Sequence, residues 1–207
     1  MDKPASTSVP IHPLLAARWS PRAIDPEAPV GEAEVLALLE AARWAPSCYG
    51  EEPWRLVVCD RQRDRQAWEA AMATLAEGNR LWARHAPVLV LVAAAPRFTH
   101  KGKPNRWAAF DAGAACENLL LQATALGLAA HPMGGFDEEA ARAALGVPED
   151  HLLMAFVAVG RPGDPATLPE ELRQRELAPR QRQPLGSRCY AGRWGRPADQ
   201  VYRPKGA

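Results

Sequence analysis

The nine residues Pro87-Val88-Leu89-Val90-Leu91-Val92-Ala93-Ala94-Ala95 decide the fold class of this chain of 207 residues. Successive side chains of a strand point to opposite faces of the sheet, so a strand that is apolar at every position needs cover on both faces. Helices are the elements that usually supply such cover. The stretch therefore predicts a buried strand, at residues 87–95, packed between layers of helices.

Hydrophobic patterning on both sides of this strand predicts the other elements. Residues 32–44 are typical of an amphipathic helix, because Val35, Leu38, Leu39 and Ala42 follow the i, i+3, i+4, i+7 spacing of one helix face. Compact apolar and β-branched runs predict the remaining strands, at residues 54–60, 128–131 and 152–159. Further helices are predicted at residues 12–19, 61–77, 106–126 and 138–145. The class is α+β (mixed α/β), a small central sheet wrapped by helices.

The predicted helix over residues 106–126 is apolar nearly all round, which favours a central position or a subunit interface. From Arg161 onward the chain has many prolines and charges and little periodicity, and we expect an extended C-terminal tail. Residues 1–10 are predicted to be a flexible N-terminal arm. Residues 11–207 are predicted to form a single domain.

Composition excludes several classes of function. A net charge of +1 provides no global field for recruiting nucleic acid. The longest apolar run, residues 86–96, is too short to span a bilayer, and the first twenty residues lack the apolar core of a signal peptide. We therefore expect a soluble, cytoplasmic protein. The four cysteines have neither C-x-x-C nor metal-site spacing, and neither dinucleotide-binding nor P-loop glycine motifs are present.

Five short motifs carry the candidate chemistry: RWSPR at 18–22, APSCYGEEPW at 45–54, GN at 78–79, PMGGFD at 132–137 and PRQRQPL at 179–185. Arginine presents a planar fork of donors that matches phosphate oxygens in pairs. Each motif also has an ordinary structural interpretation. The arginines of the first and last motifs are compatible with a solvated helix end or with surface charge. Ser47 is compatible with a turn cap, and Gly78-Asn79 is compatible with a helix terminus.

In this order the motifs resemble the nitroreductase family of homodimeric, FMN-dependent oxidoreductases. The resemblance covers residues 12–194. It implies that Arg18, Ser20 and Arg22, with Trp19 between them, contact the FMN phosphate, together with the C-terminal pair Arg180 and Arg182. It also implies a fold with the long helix at the dimer interface.

The resemblance implies further flavin contacts from Ser47, from Asn79 at the pyrimidine edge, and from Pro132, Met133, Gly134 and Gly135 near N5. Tyr49 and Arg161 are candidate substrate contacts. At two positions the family pattern has Asn and Gln, and this chain has Gly50 and Glu52. An ionised glutamate donates no hydrogen bond, so this loop differs from the family pattern in its donors.

The function implied is hydride transfer from NAD(P)H, through flavin N5, to a nitroaromatic or quinone acceptor. No side chain needs to act as acid or base at the hydride step, so no catalytic residue is assigned. Two alternatives stay open. One is a dehydrogenase or reductive dehalogenase of the same fold acting on a dedicated small molecule, and the other is a non-catalytic FMN-binding or storage protein.

Overall fold

A computed structural model describes residues 3–100 and 102–202. Four strands form one antiparallel sheet in the order β1–β2–β4–β3. They are β1 (Trp54–Asp60), β2 (Val88–Ala94), β3 (Ala129–Met133) and β4 (Leu152–Gly160). All four predicted strands are present, and the bounds of β1 agree with the prediction.

Strand β2 is central and all seven of its residues are buried. Val90 pairs with Val58 of β1 on one side and with Val157 of β4 on the other. Helices cover both faces, as the sequence predicts. Even-numbered residues such as Val88 and Val90 belong to one core, and odd-numbered ones such as Leu89 belong to the other.

The described residues form eight α-helices: α1 (Pro13–Ala17), α2 (Glu32–Arg43), α3 (Arg65–Thr74), α4 (Glu77–Ala83), α5 (Ala108–Ala125), α6 (Glu138–Leu145), α7 (Glu170–Leu177) and α8 (Ala198–Val201). Buried residues of α2 and α5 pack on one face of the sheet. Those of α3, α4 and α6 pack on the other. The α+β class, with a small sheet wrapped in helices, is confirmed.

The single helix predicted over residues 61–77 is wrong, because the structure has a turn followed by two helices there. Asp64 caps α3 by accepting a hydrogen bond from the Ala67 N–H. The helix stops at Leu75, which is extended and forms an isolated bridge with Phe136. Helix α4 then begins at Glu77. Pairing with the segment after β3 therefore overrides the local helical preference.

The tail after Arg161 contains more helix than its composition predicts. Helix α7 is polar nearly all round, and ion pairs one turn apart support it, from Glu170 to Arg173 and from Glu171 to Arg175. Within the described residues, the segment before α8 folds back on itself, with an isolated bridge between Tyr190 and Pro197.

Within this single chain, the long helix α5 is buried on one face only. Its core face includes Ala112, Ala115 and Leu119, whereas Phe110 is 73% exposed. Of the helices in the described part, none is both long enough and apolar enough to cross a membrane.

Candidate flavin site

The segment Arg18–Arg22 lies between the end of α1 and the buried residues Ala23 and Ile24. Arg18 ends α1, donating its own N–H to the Leu14 carbonyl. Its Nη1 lies 3.3 Å from the Ser20 hydroxyl, and its Nε lies 3.8 Å from the Glu117 carboxylate of α5. The segment is thus a short irregular connection that presents several polar side chains at one place.

The Arg180 side chain connects the C-terminal part of the chain to the N-terminal part. Its Nη1 donates to the carbonyls of Lys3, at 2.7 Å, and Ala16, at 2.8 Å, and its Nη2 donates to the Arg18 carbonyl at 2.8 Å. Three hydrogen bonds from its guanidinium therefore go to backbone. Arg180 acts here mainly as a tie that brings the C-terminal motif beside the Arg18–Arg22 segment.

The two arginine motifs and Lys3 of the N-terminal arm enclose a basic pocket of about 230 Å³. Among the described residues, its lining contains no carboxylate and six cationic side chains, namely Lys3, Arg18, Arg22, Arg175, Arg180 and Arg182. Two of these, Arg18 and Arg175, also pair with the carboxylates of Glu117 and Glu171. Burial, and then the charges of Arg18 and Arg182, lower the pKa of Arg180 below its usual value. This concentration of like charge is an arrangement that a bound anion would stabilise.

A larger cleft of about 950 Å³ adjoins this pocket and shares Arg18, Ser20, Arg180 and Arg182 with it. Pro132 of β3 also lines the cleft, so its floor reaches the edge strand of the sheet. Arm residues 5–9 form part of its wall. The arm itself makes hydrogen bonds, including one from the Ala5 N–H to the Ala16 carbonyl at 2.8 Å. Its flexibility, and the division at residue 10, stay predictions.

The end of β3 brings together the next group of candidates. The Met133 side chain is buried in the core, so at this position only the main chain is left for contact with a ligand at the sheet edge. Gly134 and Gly135 follow and are exposed. A Cβ added at Gly134 would meet nothing within 4 Å, whereas one at Gly135 would lie 3.0 Å from Asn79 Nδ2. Backbone at Gly134 is therefore accessible to a ligand.

Asn79 lies in the first turn of α4 and does not end a helix. Its Nδ2 donates to the Gly135 carbonyl at 2.9 Å. The backbone N–H of Ala76 donates to the same oxygen at 3.0 Å. The structure thus brings Asn79 together with the glycine pair, although they are 56 residues apart. Its contact with the flavin pyrimidine edge stays a prediction.

His131 is not among the residues that the motifs single out, yet it lies between the site segments. Its Nδ1 is 3.1 Å from the Pro21 carbonyl, and its ring packs against Trp82 with centroids 4.6 Å apart. Burial, and then the Arg22 charge, lower its pKa to about 4. The imidazole is therefore neutral at pH 7, with Nδ1–H donating to Pro21.

The loop after α2 is placed away from the cleft. Ser47 caps a turn, because its hydroxyl accepts from the Glu52 N–H at 3.0 Å. The Cys48 N–H donates to Asp111 of α5, six residues before Glu117, so about 9 Å of helix separates this loop from the cleft. Tyr49 is 94% exposed. Within this chain, Ser47 and Tyr49 do not join the other candidates, and their contacts with flavin and substrate stay predictions.

The backbone of this loop is unusual. Tyr49, Gly50 and Glu52 have φ values of 57°, 67° and 50°. Glycine adopts this left-handed conformation without strain, whereas the other two residues do not. Gly50, which replaces the family asparagine, therefore suits its position.

Arg161 is also separate from the cleft. It follows β4, and its Nη2 lies 2.8 Å from both carboxylate oxygens of Glu34 in α2. In the sheet, the end of β4 is beside Ala129 at the start of β3, and the glycine pair follows the opposite end of β3. A substrate contact from Arg161 stays a prediction.

Comparison with known proteins supports the family that the motifs resemble. The model of the nitroreductase family matches residues 15–161. The chain belongs to the nitroreductase family. A Streptomyces coelicolor protein provisionally named NADH dehydrogenase/NAD(P)H nitroreductase is 32% identical over 165 residues, which cover 70% of this chain and 82% of that protein.

Two solved structures that are similar to this chain are described as containing FMN. One, described as an oxidoreductase containing FMN, is 37% identical and has a TM-score of 0.87, covering 92% of this chain and 96% of its own. The other, a provisionally named nitroreductase in complex with FMN from Desulfovibrio desulfuricans, is 26% identical with a TM-score of 0.67. It covers 86% of this chain and 95% of its own. The family predicted from the motifs is confirmed.

Proposed function

We propose that this nitroreductase-family chain is an FMN-dependent NAD(P)H oxidoreductase that works as a homodimer on nitroaromatic or quinone acceptors. The observation that carries the proposal is the convergence of Arg18, Ser20 and Arg22 with Arg180 and Arg182 around one basic pocket. Relatives that contain FMN, and one named for NADH and NAD(P)H, support the choice of cofactor and electron donor.

The basic pocket suits the phosphate monoester of FMN. In the described part of the chain its lining has six cations and no carboxylate, and a dianionic phosphate would offset the charge of those that lack an ion pair. Arg22 and Arg182 are the best placed to bind it, because Arg180 already makes three hydrogen bonds to backbone. The adjoining cleft of about 950 Å³ has room for the rest of the molecule.

When bound, FMN supplies the N5 atom that takes up hydride and passes it on. The task of the chain is then to hold the phosphate and to leave backbone accessible beside the ring. Gly134, where an added Cβ would have no neighbour within 4 Å, can serve the second purpose. Neutral His131 has its Nδ1 engaged with Pro21, and we assign it no proton transfer at the hydride step.

The dimer is supported by apolar side chains that the single chain leaves exposed. Phe110 and Trp107 lie at the start of α5, and Trp44 and Leu36 belong to or follow α2. Because helices α2 and α5 pack together, these residues lie on neighbouring elements. A second copy covering them would also bring its own Ser47 loop to the assembly.

The first experiment is the absorption spectrum of the purified protein. We expect a yellow protein whose chromophore, released by denaturation, is FMN and not FAD. Protein that is colourless and does not bind added FMN would overturn the proposal. The second experiment follows oxidation of NADH and NADPH with menadione or a nitrofuran as acceptor.

The acceptor assay separates the alternatives. Rapid oxidation of a reduced nicotinamide with either acceptor supports the proposed activity. FMN-loaded protein that oxidises neither NADH nor NADPH with any acceptor supports a storage role. FMN-loaded protein that is inactive with these acceptors but turns over a halogenated or saturated small molecule supports the dedicated dehalogenase or dehydrogenase.

A further inference from the structure

Glu176 is a fully buried carboxylate outside the predicted site. It lies near the end of α7 with 1% of its surface exposed. Its Oε1 accepts from the backbone N–H groups of Arg22, at 2.9 Å, and Ala23, at 3.1 Å, and its Oε2 is 3.1 Å from the Arg22 N–H. In the described part of the chain, no cationic side chain forms an ion pair with it.

The Glu176 carboxylate takes the place of the backbone acceptors that a helix or strand would provide for Arg22 and Ala23. Residues 18–23 form no helix or strand, so their backbone donors have no regular ladder to join. A buried donor without an acceptor is strongly unfavourable, and a carboxylate is a strong acceptor. Glu176 thus fixes the C-terminal end of the Arg18–Arg22 segment.

Arg180, four residues after Glu176, fixes the other end of the same segment. It binds the carbonyls of Ala16 and Arg18. One short stretch of the tail therefore supplies an acceptor at one end of the segment and donors at the other. Between these two anchors lie the side chains that face the basic pocket, including Arg18, Ser20 and Arg22.

We propose that Glu176 is a positioning residue for phosphate recognition, which holds the Arg22 backbone so that the Arg18–Arg22 segment is preorganised for a phosphate monoester. The inference rests on the proposed FMN site and extends it to a residue that does not touch the ligand. A positioning role and a purely electrostatic role predict opposite changes in phosphate affinity when Glu176 is replaced. Removing the negative charge next to the Arg22 backbone would lessen Coulomb repulsion of a bound phosphate and so strengthen its binding, whereas loss of positioning weakens it.

The experiment compares FMN with riboflavin, which lacks the phosphate. Dissociation constants of both are measured by flavin fluorescence on apoprotein of the wild type, Glu176→Gln, and the matched control Glu170→Gln. Glu170 is an exposed glutamate of the same helix that pairs with Arg173. Circular dichroism and the thermal midpoint check that each variant is folded.

We expect Glu176→Gln to weaken FMN binding about tenfold, the scale of one hydrogen bond to a charged group. Riboflavin binding should change by less than about twofold, as expected for a site remote from the phosphate. The control should retain the wild-type ratio of the two constants. If Glu176→Gln proves unfolded, Glu176→Asp, which keeps the charge but shortens the reach, serves in its place with the same expectation.

Each outcome bears on a definite statement. A folded variant with an unchanged or increased preference for FMN over riboflavin overturns the positioning role. An equal loss of both ligands overturns it as well, since that result indicates general destabilisation. Wild-type protein that binds neither flavin overturns the proposed function, and with it this inference. A loss of FMN binding that is confined to the folded Glu176 variant supports the positioning role and leaves the proposed function standing.

Discussion

At the scale of single residues, the arginines of the site have different tasks. The Arg180 guanidinium donates hydrogen bonds to three backbone carbonyls. Arg182 donates to the adjacent Gln181 carbonyl, and the described residues include no hydrogen bond from the Arg22 side chain. Resemblance alone treats all of them as equivalent phosphate ligands. Their hydrogen-bond partners distinguish anchors from groups that are available to a ligand.

Replacing Arg22 or Arg182 by alanine should therefore weaken FMN binding by about 1.5–3 kcal/mol each, the range for hydrogen bonds to charged groups. Fluorescence titration of apoprotein measures the effect. The surface variant Arg65→Ala, which loses only its pair with Glu69, is the control. Unchanged FMN affinity in both site variants would place the phosphate elsewhere.

His131 shows how the site constrains a titratable group. Burial and nearby Arg22 lower its pKa from 6.5 to about 4 in the folded protein. Between these two values the unfolded chain binds more protons than the folded chain, so stability decreases as the pH falls through this window. Well above pH 6.5 both states have a neutral imidazole, and the histidine adds no pH dependence.

Acidification from pH 7.5 to pH 5 should consequently cost the wild type roughly 2 kcal/mol of unfolding free energy through this residue. His131→Asn keeps a donor for the Pro21 carbonyl but does not titrate. Urea unfolding at the two pH values should give a smaller decrease for the variant. Equal decreases in the two proteins would contradict a lowered pKa at His131.

At the scale of elements, strongly periodic or uniformly apolar segments can be predicted from sequence. Strand β2 and helix α2 have burial patterns that local hydrophobicity encodes. The break at Leu75 cannot be predicted in this way, because it depends on pairing with Phe136, which is distant in the chain. Helix α7 escapes prediction because charged pairs support it, and these leave no apolar stripe.

Some residues of the candidate site can likewise be predicted from the sequence, and others cannot. Arg18, Ser20, Arg180 and Arg182 are identifiable because their motifs resemble those of a family, and the structure places them around one cleft. Glu176 gives no signal, since a glutamate within a run of charged residues is usually exposed. Its importance depends on burial and on two backbone N–H groups, which only the three-dimensional arrangement reveals.

The tie made by Arg180 gives a prediction about the elements it connects. Arg180→Ala should lower the free energy of unfolding of the apoprotein by about 2 kcal/mol, because bonds to a charged donor are lost from the arm and from α1. Hydrogen exchange at the Ala5 N–H, which bonds Ala16, should accelerate. Arg180→Lys should restore little, since an ammonium lacks the planar fork. Wild-type stability in both variants would contradict the tie.

At the scale of the whole molecule, the exposed start of α5 makes dimerisation testable. Phe110→Glu should convert a dimer of twice 22.5 kDa into monomers, because a charge would be buried at the proposed interface. Light scattering coupled to size-exclusion chromatography measures the mass. Leu152→Glu, at an exposed apolar residue outside α5, is the control. A monomeric wild type would refute the homodimer.

The distance along the chain between the two arginine motifs has a consequence for biosynthesis. Arg180 bonds to a residue 162 positions earlier, so the basic pocket does not exist until translation has passed this point. Strands β1 and β2 pair over a much shorter distance in sequence than Arg180 and Arg18 do, so they can form before translation is complete. We therefore expect a nascent chain to acquire its sheet first and its affinity for phosphate last.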